Sequence, residues 1–69
     1  MNQREKISKY MEDFGGITPM QAFSDLGITK LATRVSEMIR SGEKIRKIPQ
    51  SGFNRYGETV RFMRYEKTV

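Results

Sequence analysis

The chain contains no cysteine and no histidine. Without thiols, neither a disulfide nor a thiolate metal site can staple the fold. Without imidazole, the commonest general base and the commonest metal ligand are both missing. The acids Glu5, Glu12, Asp13, Asp25, Glu37, Glu43, Glu58 and Glu66 are scattered in ion-pair positions. They form no acid/base pair and no support for a nucleophile, so the reading is no enzyme and no cofactor. No apolar run nears the roughly 20 residues of a membrane span, and MNQREKISKY lacks a signal-peptide core. The expectation is an intracellular, cytoplasmic protein with no membrane partner.

The chain's 69 residues make a single domain, residues 1–69, with no room for a second core. At this size roughly 60% of the unfolded surface can be buried, so stability is marginal. The net charge of +5 is unevenly placed. Met1 to Ile28 carries three bases against four acids, net −1, whereas Thr29 to Val69 carries ten bases against four acids, net +6. A solubilising surface would spread its charge more evenly. Basicity confined to one part of a small domain suits a polyanion.

Three helices are legible from their ends and spacing. Asn2 can cap a first helix over about Asn2–Phe14, with Ile7, Tyr10, Met11 and Phe14 on one face and Gly15-Gly16 as its stop. Ile17 is extended ahead of a proline and can pair briefly with a later strand. Thr18-Pro19-Met20-Gln21 is a strong start: a capping threonine, a proline at the first helical position and a glutamine completing the box. The second helix ends near Leu26-Gly27, with Ala22, Phe23 and Leu26 inward. Ile28 packs in the turn. Thr29 caps a third helix to about Ser41, which buries Leu31, Val35, Met38 and Ile39 and turns Thr29, Lys30, Thr33, Ser36, Glu37 and Arg40 outward. Arg34 lies on the flank, where it can pair with Asp25 or Glu12 or contact a ligand.

Beyond Glu43 the pattern changes. Lys44–Pro49 and Thr59–Tyr65 are rich in strand formers, and Gln50–Glu58 reads as a loop with two glycines and an asparagine. This is a β-hairpin. Aromatic residues fall on both faces, so alternation alone leaves the register open; Met63 and Tyr65 are favoured inward.

A short helix, a tight turn at Gly27 and a longer helix with polar and basic residues outward make a helix-turn-helix unit. With the hairpin behind it, the chain resembles a winged helix-turn-helix domain. More narrowly, ITPMQAFSDLGITKLATRVSEMIRSGEKI looks like the small helix-turn-helix proteins of bacteriophages and prophages. The matching positions are Ile17, Thr18, Pro19, Ala22, Leu26, Gly27, Leu31, Arg34, Val35 and Gly42, and GETVRFMRYE looks like that family's wing. The resemblance covers Ile17 to about Glu66. Most of these positions are scaffold: Pro19, Gly27 and Gly42 set backbone, while Ala22, Leu31 and Val35 pack. The third-helix apolar positions fall off the older repressor-type register, so contact positions are not transferred from repressors.

The resemblance implies an α+β, mainly α, fold of three helices and a two-stranded wing, with a short extra strand at Ile17. It implies a double-stranded DNA-binding protein of phage or mobile-element type in a bacterial host cell, nucleoid-associated. That protein would be a transcriptional regulator or an excisionase-like architectural factor. The residues supply the chemistry. Thr33 can touch a thymine methyl, Lys30 and Arg40 can reach guanine or phosphate, and Ser36 can bond to either. Thr29 with its helix amides, and Thr18 with Gln21, are phosphate seats. Glu37 is better placed to pair with Arg34 or Arg40 than to accept from cytosine. Asn54 and Arg55 at the hairpin tip can enter a minor groove or touch phosphates, with Lys44, Arg46, Lys47 and Arg61 adding field along the strands. Phe53 and Tyr56 are expected to fold back as a satellite cluster, the sharper alternatives being a wedge between bases or a protein contact. One monomer offers few contacts, so a homodimer or tandem binding is expected. The competing class is a protein-interaction module or inhibitor, acting on a host or phage protein through Phe53, Tyr56 or the first helix.

Overall fold

The computed structural model describes residues 1–68 and contains three helices followed by a two-stranded antiparallel hairpin. Helix α1 spans Gln3–Phe14, α2 Pro19–Leu26 and α3 Leu31–Arg40; strands β1 and β2 span Ile45–Phe53 and Thr59–Lys67. Local chemistry accounts for the first two helix starts. Asn2 Oδ1 accepts from the Glu5 amide at 2.8 Å while Glu5 Oε1 accepts from the Asn2 amide at 3.2 Å. Thr18 and Gln21 form the same reciprocal box ahead of α2, with Pro19 at the first turn. Each box satisfies amides that a helix start otherwise leaves bare. Gly15 and Gly27 then close α1 and α2 in the left-handed conformation.

Helix α3 starts differently from the sequence expectation. Lys30, not Thr29, occupies the cap position, and no side chain caps the helix. Leu31 explains the shift. Leu31, Val35 and Met38 are the residues that α3 buries, and their spacing makes Leu31 the first helical residue. Thr29 is left exposed in the turn.

The core gathers Ile7, Tyr10 and Met11 of α1, Ile17, Ala22, Ile28, the three residues of α3, and Tyr65 of β2. Leu26, Ile45 and Met63 pack at its edge. Three residues expected inward lie outside: Phe14 is 65% exposed, Phe23 59% and Ile39 36%. Phe14 lies at the end of α1 and leans on Tyr10, ring centroids 4.6 Å apart, instead of entering the core. In α2, fully buried Ala22 and half-buried Leu26 define the inner side, leaving Phe23 beyond it.

The hairpin is longer than its strand-former runs. Gln50 to Phe53 continue β1 in unbroken register, from Ile45 opposite Lys67 to Phe53 opposite Thr59. Pro49 is tolerated because both strands of a lone ribbon are edges. Strands of nine residues reach about 30 Å. The ribbon therefore sets the long axis of a molecule measuring 38 × 22 × 21 Å. Its base is anchored twice. Ile17 and Tyr65 exchange both backbone hydrogen bonds, each 2.8 Å, which makes Ile17 the short extra strand. Tyr65 is buried and Met63 half-buried, as the inward choice required. On the other face Arg64 lies over Gly16, where a Cβ would come within 2.7 Å of the guanidinium, so this approach needs glycine.

Ion pairs tie the elements at the surface. Lys67 Nζ meets Glu12 Oε1 at 2.8 Å, Arg46 and Arg64 both hold Glu66, and Arg34 holds Glu37. The carboxyls of Glu12, Glu37 and Glu66 are consequently held below their ordinary value of 4.5, first by hydrogen bonds from these bases. A depressed folded pKa means that the unfolded state takes up more protons as the solution is acidified. The contribution is therefore complete above about pH 4.5 and lost as pH falls through the depressed values. Thermal unfolding is expected to move little between pH 7 and 5 and to drop at pH 3, with a smaller acid drop in Glu66→Gln. An identical acid profile in that variant would show that the Glu66 pairs add nothing.

Candidate nucleic-acid interface

The outer side of α3 presents Thr33, Ser36 and Arg40, all exposed and within about 60° of one another at helical spacing. Thr29 and Lys30 extend this strip into the preceding turn, also exposed. Short hydroxyl side chains between two bases let a helix approach a flat polar edge without an apolar cost. Among the described residues neither Lys30 nor Arg40 is in an ion pair, so both positive charges are available.

Arg34 has a different part. Its Nη1 donates to both Glu37 oxygens at 2.9 Å, and its Nε donates to Gln3 Oε1 at 3.0 Å. It clasps α3 to the start of α1, and pairs with neither Asp25 nor Glu12. Those acids are engaged elsewhere: Asp25 accepts from the Tyr10 hydroxyl and Glu12 from Lys67. The bond to Asp25, with burial behind it, raises the Tyr10 pKa above its ordinary 10.0.

The Glu37 carboxylate lies in the fields of Arg4 and Arg40 as well as Arg34. These three arginines line one open groove between α1 and α3, together with Asn2, Gln3, Glu37 and Ser41. Arg4 escaped the sequence reading. It sits far from α3 in the chain, and only the packing of the two helices brings it beside Arg40.

The second predicted phosphate seat is committed to the fold. Thr18 is buried, and its hydroxyl and the Gln21 amide oxygen serve the capping box. On the hairpin, Lys44, Lys47, Arg55 and Arg61 are exposed and, among the described residues, unpaired. Arg46 is held at 2.8 Å by Glu66.

Asn54 organises the tip. Its Oδ1 accepts from the amides of Tyr56 and Glu58, at 2.9 and 3.0 Å, and its Nδ2 donates to Glu58 Oε1. With Gly57 donating to the Asn54 carbonyl and adopting φ 78°, this is a three-residue hairpin loop, a tight turn followed by a left-handed glycine. Asn54 thus builds the turn that displays Arg55. The expected satellite cluster is absent: Phe53 is 78% and Tyr56 83% exposed. Met20 on α2 is also bare at 73%.

The order of elements, the bare polar strip on α3 and the basic ribbon match a family model described as a winged helix-turn-helix domain over residues 2–66. The chain belongs to the winged helix-turn-helix family. No curated protein and no solved structure matches it. In this winged helix-turn-helix domain α2 and α3 form the helix-turn-helix, α3 takes the place of the recognition helix, and β1–β2 is the wing. Winged helix-turn-helix domains are typically DNA-binding modules, not enzymes. Among the described residues no group of acids is clustered to hold a metal ion, and no helix is long and apolar enough to cross a membrane.

Proposed function

We propose that this domain binds double-stranded DNA, with α3 in the major groove and the wing on backbone or minor groove. The observation that carries the reading is the unpaired charge on two projecting elements: Lys30 and Arg40 on α3, Arg55 and Arg61 on the wing. Thr29, Thr33 and Ser36 supply hydrogen bonds between the bases of α3, and Lys44 and Arg4 widen the basic field. Thr18, Gln21, Arg46 and Asn54 support these residues through the caps, the wing base and the turn. A phage or mobile-element regulator, or an excisionase-like architectural factor, in the cytoplasm of a bacterial host fits this set. Two copies on a repeated site would multiply the few contacts of one monomer.

Binding of this kind releases counterions. With four to six phosphates neutralised, log K against log salt is expected to fall with a slope of about −4 to −5. A gel shift on random duplex from low to moderate salt measures it. A slope near zero would remove the phosphate contacts and the reading with them.

The exposed rings of Phe53 and Tyr56 favour one alternative, a module that docks on a host or phage protein. A pull-down from host lysate, set beside the gel shift, separates the two. Capture of a protein in the absence of any duplex binding would favour the alternative.

A further inference from the structure

We infer that the wing is a wedge that bends duplex DNA: Phe53 and Tyr56 enter the minor groove and part a base step, while Arg55 and Arg61 hold the flanking phosphates. The inference rests on the DNA-binding reading and deepens it by giving the wing a task separate from that of α3.

Four observations converge on the tip. First, the two rings have no part in folding: 78% and 83% exposed, they lie at the far end of the ribbon from the core residue Tyr65. Second, they are held on a stiff mount. The Asn54 side chain makes three hydrogen bonds across the loop, and the backbone adds Asn54 amide to Glu58 carbonyl and Gly57 amide to Asn54 carbonyl. A wedge must resist being pushed aside, and this loop is ordered by its own residues.

Third, the surroundings are cationic. From Lys44 to Arg64 the hairpin carries six bases against one acid, net +5, and that acid, Glu58, is engaged by Asn54. Fourth, the shape is narrow. A protein docking site of ordinary size covers about 800 Å² on each partner, which the end of a two-strand ribbon does not offer. A minor groove about 6 Å wide accepts a single ring. Aromatic and aliphatic wedges that unstack a step kink duplexes by about 20–90°. Pyrimidine–purine steps open most readily, which gives the tip a preference for TA without any hydrogen bond to a base edge.

The test is a mixed-sequence duplex containing TA steps, with a donor and an acceptor at its ends and 2-aminopurine in place of adenine at those steps. Saturating wild-type protein at low salt is expected to raise both energy transfer and 2-aminopurine emission. Phe53→Ala with Tyr56→Ala is expected to bind the same duplex within about tenfold, the loss of one or two ring contacts, and to leave both signals at their free-DNA values. Phe53→Tyr with Tyr56→Phe keeps both rings and is expected to bend fully. The substituted positions are exposed, so circular dichroism should not change in either variant.

Wild-type binding with unchanged signals, or full bending by the alanine variant, overturns the wedge while leaving DNA binding intact. Tighter capture of single strands than of duplex overturns it too, because the rings would then be a stacking platform. Failure of the wild type to bind any duplex overturns the wedge and the underlying reading together.

Discussion

Replacing Lys30 and Arg40 together with alanine is expected to weaken duplex binding roughly 30- to 1,000-fold, about 2–4 kcal/mol for two direct contacts. Both side chains are exposed and unpaired among the described residues, so the fold has no stake in their charge. Circular dichroism and the melting temperature should be unchanged. The salt slope should flatten by about two, one for each lost phosphate or base contact. Affinity that survives the pair would show that α3 is not the reader. Arg34→Ala makes the instructive comparison. That arginine joins Glu37 to Gln3, and its loss should loosen the α1–α3 seam more than it weakens DNA contact.

Tyr65→Ala is expected to destabilise the domain by about 3–4 kcal/mol and lower its melting temperature by about 15–25 °C. Tyr65 is the fully seated aromatic of the core, and it is the point where the wing joins the helices. A small domain holds only a few kcal/mol in reserve, so a large share of the chains should be unfolded at 37 °C. Tyr65→Phe keeps the ring and is expected to stay within about 1 kcal/mol of wild type, a volume-conserving change. The backbone pairing with Ile17 uses no side-chain atom and persists in both variants. An alanine variant as stable as wild type would mean that the wing is held by that pairing and the Arg64 seat alone. Scanning calorimetry or thermal circular dichroism decides it.

The features legible in the sequence are those with local causes. Asn2, Thr18 and Gln21 cap through bonds that span three residues, so their roles follow from spacing alone. The Thr59–Tyr65 strand and the inward side of Tyr65 were readable from strand formers and alternation. What escaped depends on which element covers which face. Helical spacing put Phe14, Phe23 and Ile39 on apolar stripes, but spacing does not say how wide a stripe the neighbouring elements cover, and all three lie beyond the cover. Thr29 looked like the cap because of its hydroxyl. The need to bury Leu31 moved the helix start by one residue.

The same limit applies to the candidate interface. Lys30, Thr33, Ser36 and Arg40 were visible as one face of one helix. Arg34 had several acids within reach, and only the packing of α1 against α3 selected Glu37 and Gln3. Arg4 joined the groove by that packing too. The exposure of Phe53 and Tyr56 ran against the usual tendency of aromatics to fold back. No pattern within the loop announces it, since it follows from a ribbon too long for its tip to reach the core.

The central claim is that α3 and the wing, and not the apolar surfaces elsewhere, meet double-stranded DNA. Amide chemical-shift mapping during titration with a mixed-sequence duplex at low salt tests it residue by residue. The account predicts the largest shifts at Lys30, Thr33, Ser36 and Arg40 and at Arg55 through Arg61, with little change along the Ile7–Met11 face of α1. Shifts absent from α3, or no shifts at all, would contradict it.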